Sequence, residues 1–127
     1  MTMPHERARS MRWGHEFLQE VCEDALVTSS VRAEAAELQR SYPSPALVLE
    51  WINEDVSCIP VEAALSFERT AELLAFIVRS YACSDQLRRS AVVTSRHFPL
   101  PGEAQGWTVA VRGFSIQQWI LPEDYYK

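Results

Sequence analysis

Residues 60–84 read PVEAALSFERTAELLAFIVRSYACS, and their spacing predicts the central helix of a small helical domain. Ala64, Phe67, Ala71, Leu74, Val78 and Tyr81 recur at alternating steps of three and four, one face of a 3.6-residue period. Leu65, Leu73, Phe76 and Ile77 widen that face beyond a narrow seam, so neighbours are expected on more than one side. Glu62, Glu68, Arg69, Glu72 and Arg79 fall mostly outside it. Pro60 suits a first turn, where its missing N–H costs little, and Glu62 complements the positive helix end.

The rest of the chain bounds what such a helix can serve. A length of 127 residues fits one domain, and 47% apolar with 23% charged residues is ordinary for a folded globule, which excludes a disordered chain. The longest apolar run, residues 73–78, is too short to cross a bilayer. His5, Glu6, Arg7 and Arg9 precede no hydrophobic segment, which argues against a secretory signal and for a cytoplasmic protein with no membrane association. Cys22, Cys58 and Cys83 lie far apart with no Cys-x-x-Cys pair, as expected of reduced thiols. The net charge of −5 belongs to residues 1–60, where ten acids face five arginines; residues 61–127 balance. That lowers the prospect of a dedicated nucleic-acid binder and suits a basic partner surface.

In chain order, the pattern predicts a first helix from about residue 4 to residue 24, carrying Met11, Phe17, Leu18, Val21, Cys22 and Ala25. Thr28, Ser29 and Ser30 offer caps for a second, with Val31, Ala35 and Leu38 inward and a stop at Tyr42-Pro43. Ser44-Pro45 opens a short third helix bearing Leu47, Val48, Trp51 and Ile52. After the central helix, Ser84-Asp85 caps a fifth helix with Leu87, Ala91, Val92 and Phe98, stopped by Pro99. Residues 100–106 read as a loop. Trp107, Val109 and Val111 then alternate with Thr108, Ala110 and Arg112, which is strand spacing. A turn at Arg112-Gly113 would pair Val111 with Phe114, Val109 with Ile116 and Trp107 with Gln118 in a C-terminal β-hairpin.

Two segments repeat. A shift of 56 residues lays residues 15–43 on residues 71–99 without a gap, with identities at Glu16/Glu72, Leu18/Leu74, Arg32/Arg88, Ala35/Ala91, Arg40/Arg96 and Pro43/Pro99. Phe17/Leu73, Val21/Ile77, Val31/Leu87 and Tyr42/Phe98 keep the character of the position. The expected fold is therefore a single mainly α domain of about five helices arranged as two pseudo-repeated helical hairpins. Residues 1–55 form the first hairpin and short helix, and residues 60–99 the second. A β-hairpin at residues 107–121 and a tail at residues 122–127 complete it, giving an α+β content.

The opening MTMPHERARSMRWGHEFLQEV and the elements RAEAAELQRSYP and LRRSAVVTSRHFP resemble a family of short uncharacterised bacterial proteins. These open Met-Thr-x-Pro-x-Glu-Arg-x-Arg and carry an Arg-Arg-x-Ala helix ending Arg-His-(Tyr/Phe)-Pro. Glu6, Arg7, Arg9, Phe17 and Leu18 match the start, and Arg88, Arg89, Ala91, Arg96, His97, Phe98 and Pro99 match the end. The resemblance implies a helical hairpin and nothing chemical.

Chemistry is sparse. His15-Glu16-Phe17-Leu18-Gln19 lacks the second histidine one turn on that a zinc protease needs, so no metal site and no cofactor are expected. Cys58, in a connector, could act as a nucleophile only with His97 or His15 brought beside it. Arg88, Arg89, Arg96 and His97 could line one side of a helix and contact phosphate; alternatively the arginines pair with acids such as Glu34, Glu37, Glu54 and Asp55. Trp107, Phe114, Trp119, Tyr125 and Tyr126 could form a partner surface, including one for self-association through the hairpin. The reading these residues favour is a non-catalytic interaction or regulatory protein with a protein partner. A nucleic-acid-associated regulator using residues 88–97, and a hydrolytic or thiol enzyme centred on Cys58 or His15, are the alternatives.

Overall fold

A computed structural model describes residues 4–54, 56–110 and 115–120. Among these residues the chain forms seven helices and no strand: α1 (Pro4–Glu23), α2 (Ser29–Ser41), α3 (Pro45–Asn53), α4 (Val61–Val78), α5 (Asp85–Ser95), α6 (Glu103–Gly106) and α7 (Ile116–Ile120). Four make the body. α1 packs on α2 and α5, and α4 packs on the same two, so each of the four touches two others in a closed ring. α6 rests on α4, while α7 bridges α3 and α1.

The helix starts are set by small polar caps. Thr28, Ser44 and Ser84 each adopt extended backbone and accept a hydrogen bond from the N–H three residues on, at Val31, Leu47 and Leu87. That satisfies one of the amides a helix leaves open at its start. The central helix α4 buries Ala63, Ala64, Ser66, Phe67, Thr70, Leu73, Leu74 and Ile77. Its buried face is centred on Phe67 and Leu74, as the spacing indicates, but is rotated from the expected stripe: Leu65 and Phe76 are exposed. Tyr81 is 98% exposed because α4 ends at Val78 and Tyr81 falls in the following loop.

Phe67 is the hub of the core. Its ring meets Tyr42 edge-on at 5.3 Å, Phe98 at 6.4 Å and Trp107 at 6.1 Å, the tilted geometries that aromatic quadrupoles favour. Tyr42 and Phe98, the aromatic residues that end α2 and follow α5, both lie over Gly14 of α1. The Tyr42 hydroxyl, fully buried, donates to the Met11 carbonyl. No larger side chain fits at Gly14.

The C-terminal β-hairpin expected at residues 107–121 is not present among the described residues. Residues 107–110 form a turn and bend, Ile116–Ile120 is helix α7, and residues 111–114, the expected turn, lie outside the described residues. The expected pairings of Val109 with Ile116 and of Trp107 with Gln118 are therefore overturned. The cause is local: Ser115 Oγ accepts from Gln118 N at 3.1 Å while Gln118 Oε1 accepts from Ser115 N at 3.0 Å. This reciprocal capping box starts a helix, which puts Ile116 and Ile120 on one buried face. A two-stranded hairpin with no sheet beside it has no comparable support. Likewise the expected loop at residues 100–106 contains a helical turn, α6, entered through Gly102 at φ +93°.

Candidate functional site

The two inter-helix loops of the body meet at one end. Asp24 Oδ2, after α1, accepts from Ser84 Oγ at 2.6 Å and Ser84 N at 3.1 Å, and Oδ1 accepts from Leu26 N at 2.9 Å. Burial pushes the Asp24 carboxyl up, but the Ser84 hydroxyl and the backbone N–H groups outweigh it and hold the group below the usual carboxylate range. Asp24 thus clamps α1 to the start of α5.

From that clamp a cleft runs along the outer face between α1 and α5. Its far part is lined by Trp13, Glu16 and Glu20 on α1 and by Arg89, Ser90, Val93 and Thr94 on α5. Its near part is lined by Glu20, Glu23 and Asp24 against Ser84, Gln86 and Leu87. Glu20 belongs to both, so the cleft is continuous. On α1 the positions 9, 13, 16, 20 and 23 follow one another at steps of four and three, which is one helix face. Arg9 lies over the Trp13 ring at 5.5 Å, and Trp13 is half-buried. On α5, Val93 is 40% exposed beside Thr94, which is 2% exposed. Thr94 lines the cleft, but among the described residues the buried side-chain atoms without a partner are Arg32 Nε and Thr70 Oγ1.

The arginine face expected for phosphate is divided. Arg88 donates to Asp85 Oδ1 at 2.7 Å and to the Ser80 carbonyl at 2.9 Å. Arg89 shares the cleft with Glu16 and Glu20. Arg96 is exposed, and His97 lies 3.6 Å from a Glu6 oxygen. Glu34, Glu37 and Glu54 pair with no arginine among the described residues, and Asp55 lies outside them.

Of the aromatic residues expected on a partner surface, Trp107 is in the core at 3% exposure, and its carbonyl accepts from Ile59 N at 2.9 Å. Trp119 is half-buried, 5.2 Å from Trp107, with the Arg7 guanidinium 5.1 Å above its ring and bonded to its carbonyl. Phe114, Tyr125 and Tyr126 lie outside the described residues. Cys58 is exposed and bonds neither His15 nor His97 among the described residues. The crevice beside His15 holds about 20 Å³, room for one water and no substrate. Among the described residues no three potential metal ligands converge. No helix there is long and apolar enough to cross a membrane.

Sequence reasoning passed over Trp13, Glu16, Glu20 and Thr94 as a set. The signal was available: a tryptophan and acids on one α1 face, and a threonine at the position that aligns with the buried Leu38. No family model, curated protein or solved structure matches the chain.

Proposed function

We propose that this chain is a non-catalytic interaction or regulatory protein acting through protein–protein contacts, with the α1/α5 cleft as its contact face. The observation that carries the reading is apolar surface in that cleft: Val93 is 40% exposed across from the half-buried Trp13. Apolar surface of this kind is the area an incoming side chain covers.

The same reading takes the body as two pseudo-repeated hairpins. Its support is that aligned positions share burial: Phe17/Leu73, Leu18/Leu74, Val21/Ile77, Val27/Cys83, Ala35/Ala91 and Tyr42/Phe98 are all in the core. Thr94 is where the second copy departs from the first, which has Leu38. The nucleic-acid alternative is weakened by the acids beside Arg88, Arg89 and His97, because a phosphate approaching them meets Asp85, Glu16, Glu20 or Glu6.

The test is a matched pair of blocking substitutions. Val93→Arg fills the cleft; Leu65→Arg alters an equally exposed site on α4, at 43% against 40%. Quantitative cross-linking in the native host should show partners lost from the first variant and kept by the second. Partners unaffected by Val93→Arg, or lost equally from both, would refute the contact face.

A further inference from the structure

We infer that the exposed face of α4 pairs with the same face of a second copy of this chain, the two helices lying antiparallel about a twofold axis. The face is one stripe. Glu62, Leu65, Arg69, Glu72, Phe76 and Arg79 follow one another at alternating steps of three and four, the a/d spacing of a helix-pairing seam. All six are exposed, and the apolar two are open to water at 43% for Leu65 and 55% for Phe76. α4 meets α2, α5 and α6 through the faces that carry its buried residues, which leaves this stripe uncovered among the described residues.

The order of the stripe identifies its occupant. Laid antiparallel on itself, with the axis between Arg69 and Glu72, it sets Arg69 against the partner's Glu72, Leu65 against the partner's Phe76 and Glu62 against the partner's Arg79. The twofold repeats each contact, so every acid meets a base and each apolar residue meets an apolar one. A parallel pair in the same register would place Arg69 on arginine and Glu72 on glutamate, like charge on like. Within the chain, Glu62, Arg69, Glu72 and Arg79 form no ion pair among the described residues, so all four charges are available to a neighbour.

The seam from Glu62 to Arg79 is about 26 Å long and one helix wide. That is the small end of protein interfaces, where association is weak and concentration-dependent. Leu65 and Phe76 supply the apolar attraction; the central charges fix direction and register more than they add affinity. The inference is independent of the α1/α5 cleft, because α1 and α4 stand opposite each other in the ring and present different outer faces.

Sedimentation velocity of the full chain over a concentration series should show a reversible monomer–dimer equilibrium. Arg69→Glu sets acid against acid at two symmetric places and should raise the dissociation constant at least about tenfold. Glu72→Arg should do the same with base against base. Mixed together, the two variants should form a heterodimer, since each seam then faces its complement. Both changes in one chain should restore association to within about threefold of the parent. Glu34→Arg, at an exposed position on α2, should leave it within about twofold. Circular dichroism establishes that each variant is folded, and the mixed dimer shows it independently. A parent that stays monomeric, a dimer that survives either single reversal, or a mixture that does not associate overturns the inference. In the native host, Leu65→Arg should lose the cross-link to a second copy while partners held by the cleft are kept.

Discussion

Replacing Gly14 with alanine adds one methyl group to α1 and should destabilise the whole domain. An ideal Cβ there lies 2.5 Å from the Tyr42 hydroxyl oxygen and 2.7 Å from Phe98 Cε2, well inside contact distance. Neither ring can retreat easily: Tyr42 is 6% exposed, bonded to the Met11 carbonyl and edge-on to Phe67, and Phe98 is 5% exposed against the same ring. Alanine in a helix interior gains about 1 kcal/mol over glycine. Against that, overpacking costs about 1–3 kcal/mol, and displacing the Tyr42 hydroxyl from its acceptor costs another ~1–3 kcal/mol. The expected net loss is about 1–5 kcal/mol, a fall in Tm of roughly 4–20 °C for a domain of this size. Urea and thermal denaturation followed by far-UV circular dichroism measure it. Tyr42→Phe removes the atom nearest the new methyl, so in that background Gly14→Ala should cost at least ~1 kcal/mol less. If Gly14→Ala is neutral or stabilising, as at an exposed helical glycine, or costs the same with and without the Tyr42 hydroxyl, the packing argument is wrong.

Two further perturbations probe groups whose protonation is tied to the fold. Burial holds the Tyr42 phenol well above its ordinary pKa, so above about pH 10 the unfolded chain releases a proton that the folded chain keeps. Stability should then fall by about 1.4 kcal/mol per pH unit on the alkaline side, and Tyr42→Phe should flatten that limb in urea titrations across pH. Ser84→Ala removes both the cap on Leu87 N and a donor to Asp24, and should cost about 1–2 kcal/mol at neutral pH. Because the folded Asp24 carboxyl titrates below its unfolded value, its contribution is present at neutral pH and lost as pH falls through the acid range; the variant should lose less there than the parent.

The helical body was legible because its signals are local and redundant. Phe67, Leu74 and Ile77 carry the period of α4, and Thr28, Ser44 and Ser84 announce the helices they start. The C-terminal segment was misread because Trp107 and Val109 alternate like a strand, although one is buried and the other 54% exposed. The stronger signal was Ser115-Ile-Gln-Gln118, a capping box whose two hydrogen bonds outrank a short alternation. The cleft was hidden for a different reason. Glu16 and Glu20 look like ordinary solvated acids until α5 is laid beside them, and periodicity within α1 does not reveal which helix that will be. Trp107 failed as a surface residue because its burial depends on Phe67, 40 positions away.

The seat of α7 has a consequence for how the chain is made. Ile116 and Ile120 are at most 1% exposed, wedged where α7 meets α1 and α3, and Arg7 near the beginning bonds the Trp119 carbonyl 112 residues later. On the ribosome, α1 and α3 emerge long before the segment that seals them. For that interval the seam is open, and a nascent chain offers apolar surface to chaperones or to other nascent copies. A protein stalled before residue 115 would carry the four-helix ring with one wall unsealed, so its vulnerability during synthesis is set by its shortest helices.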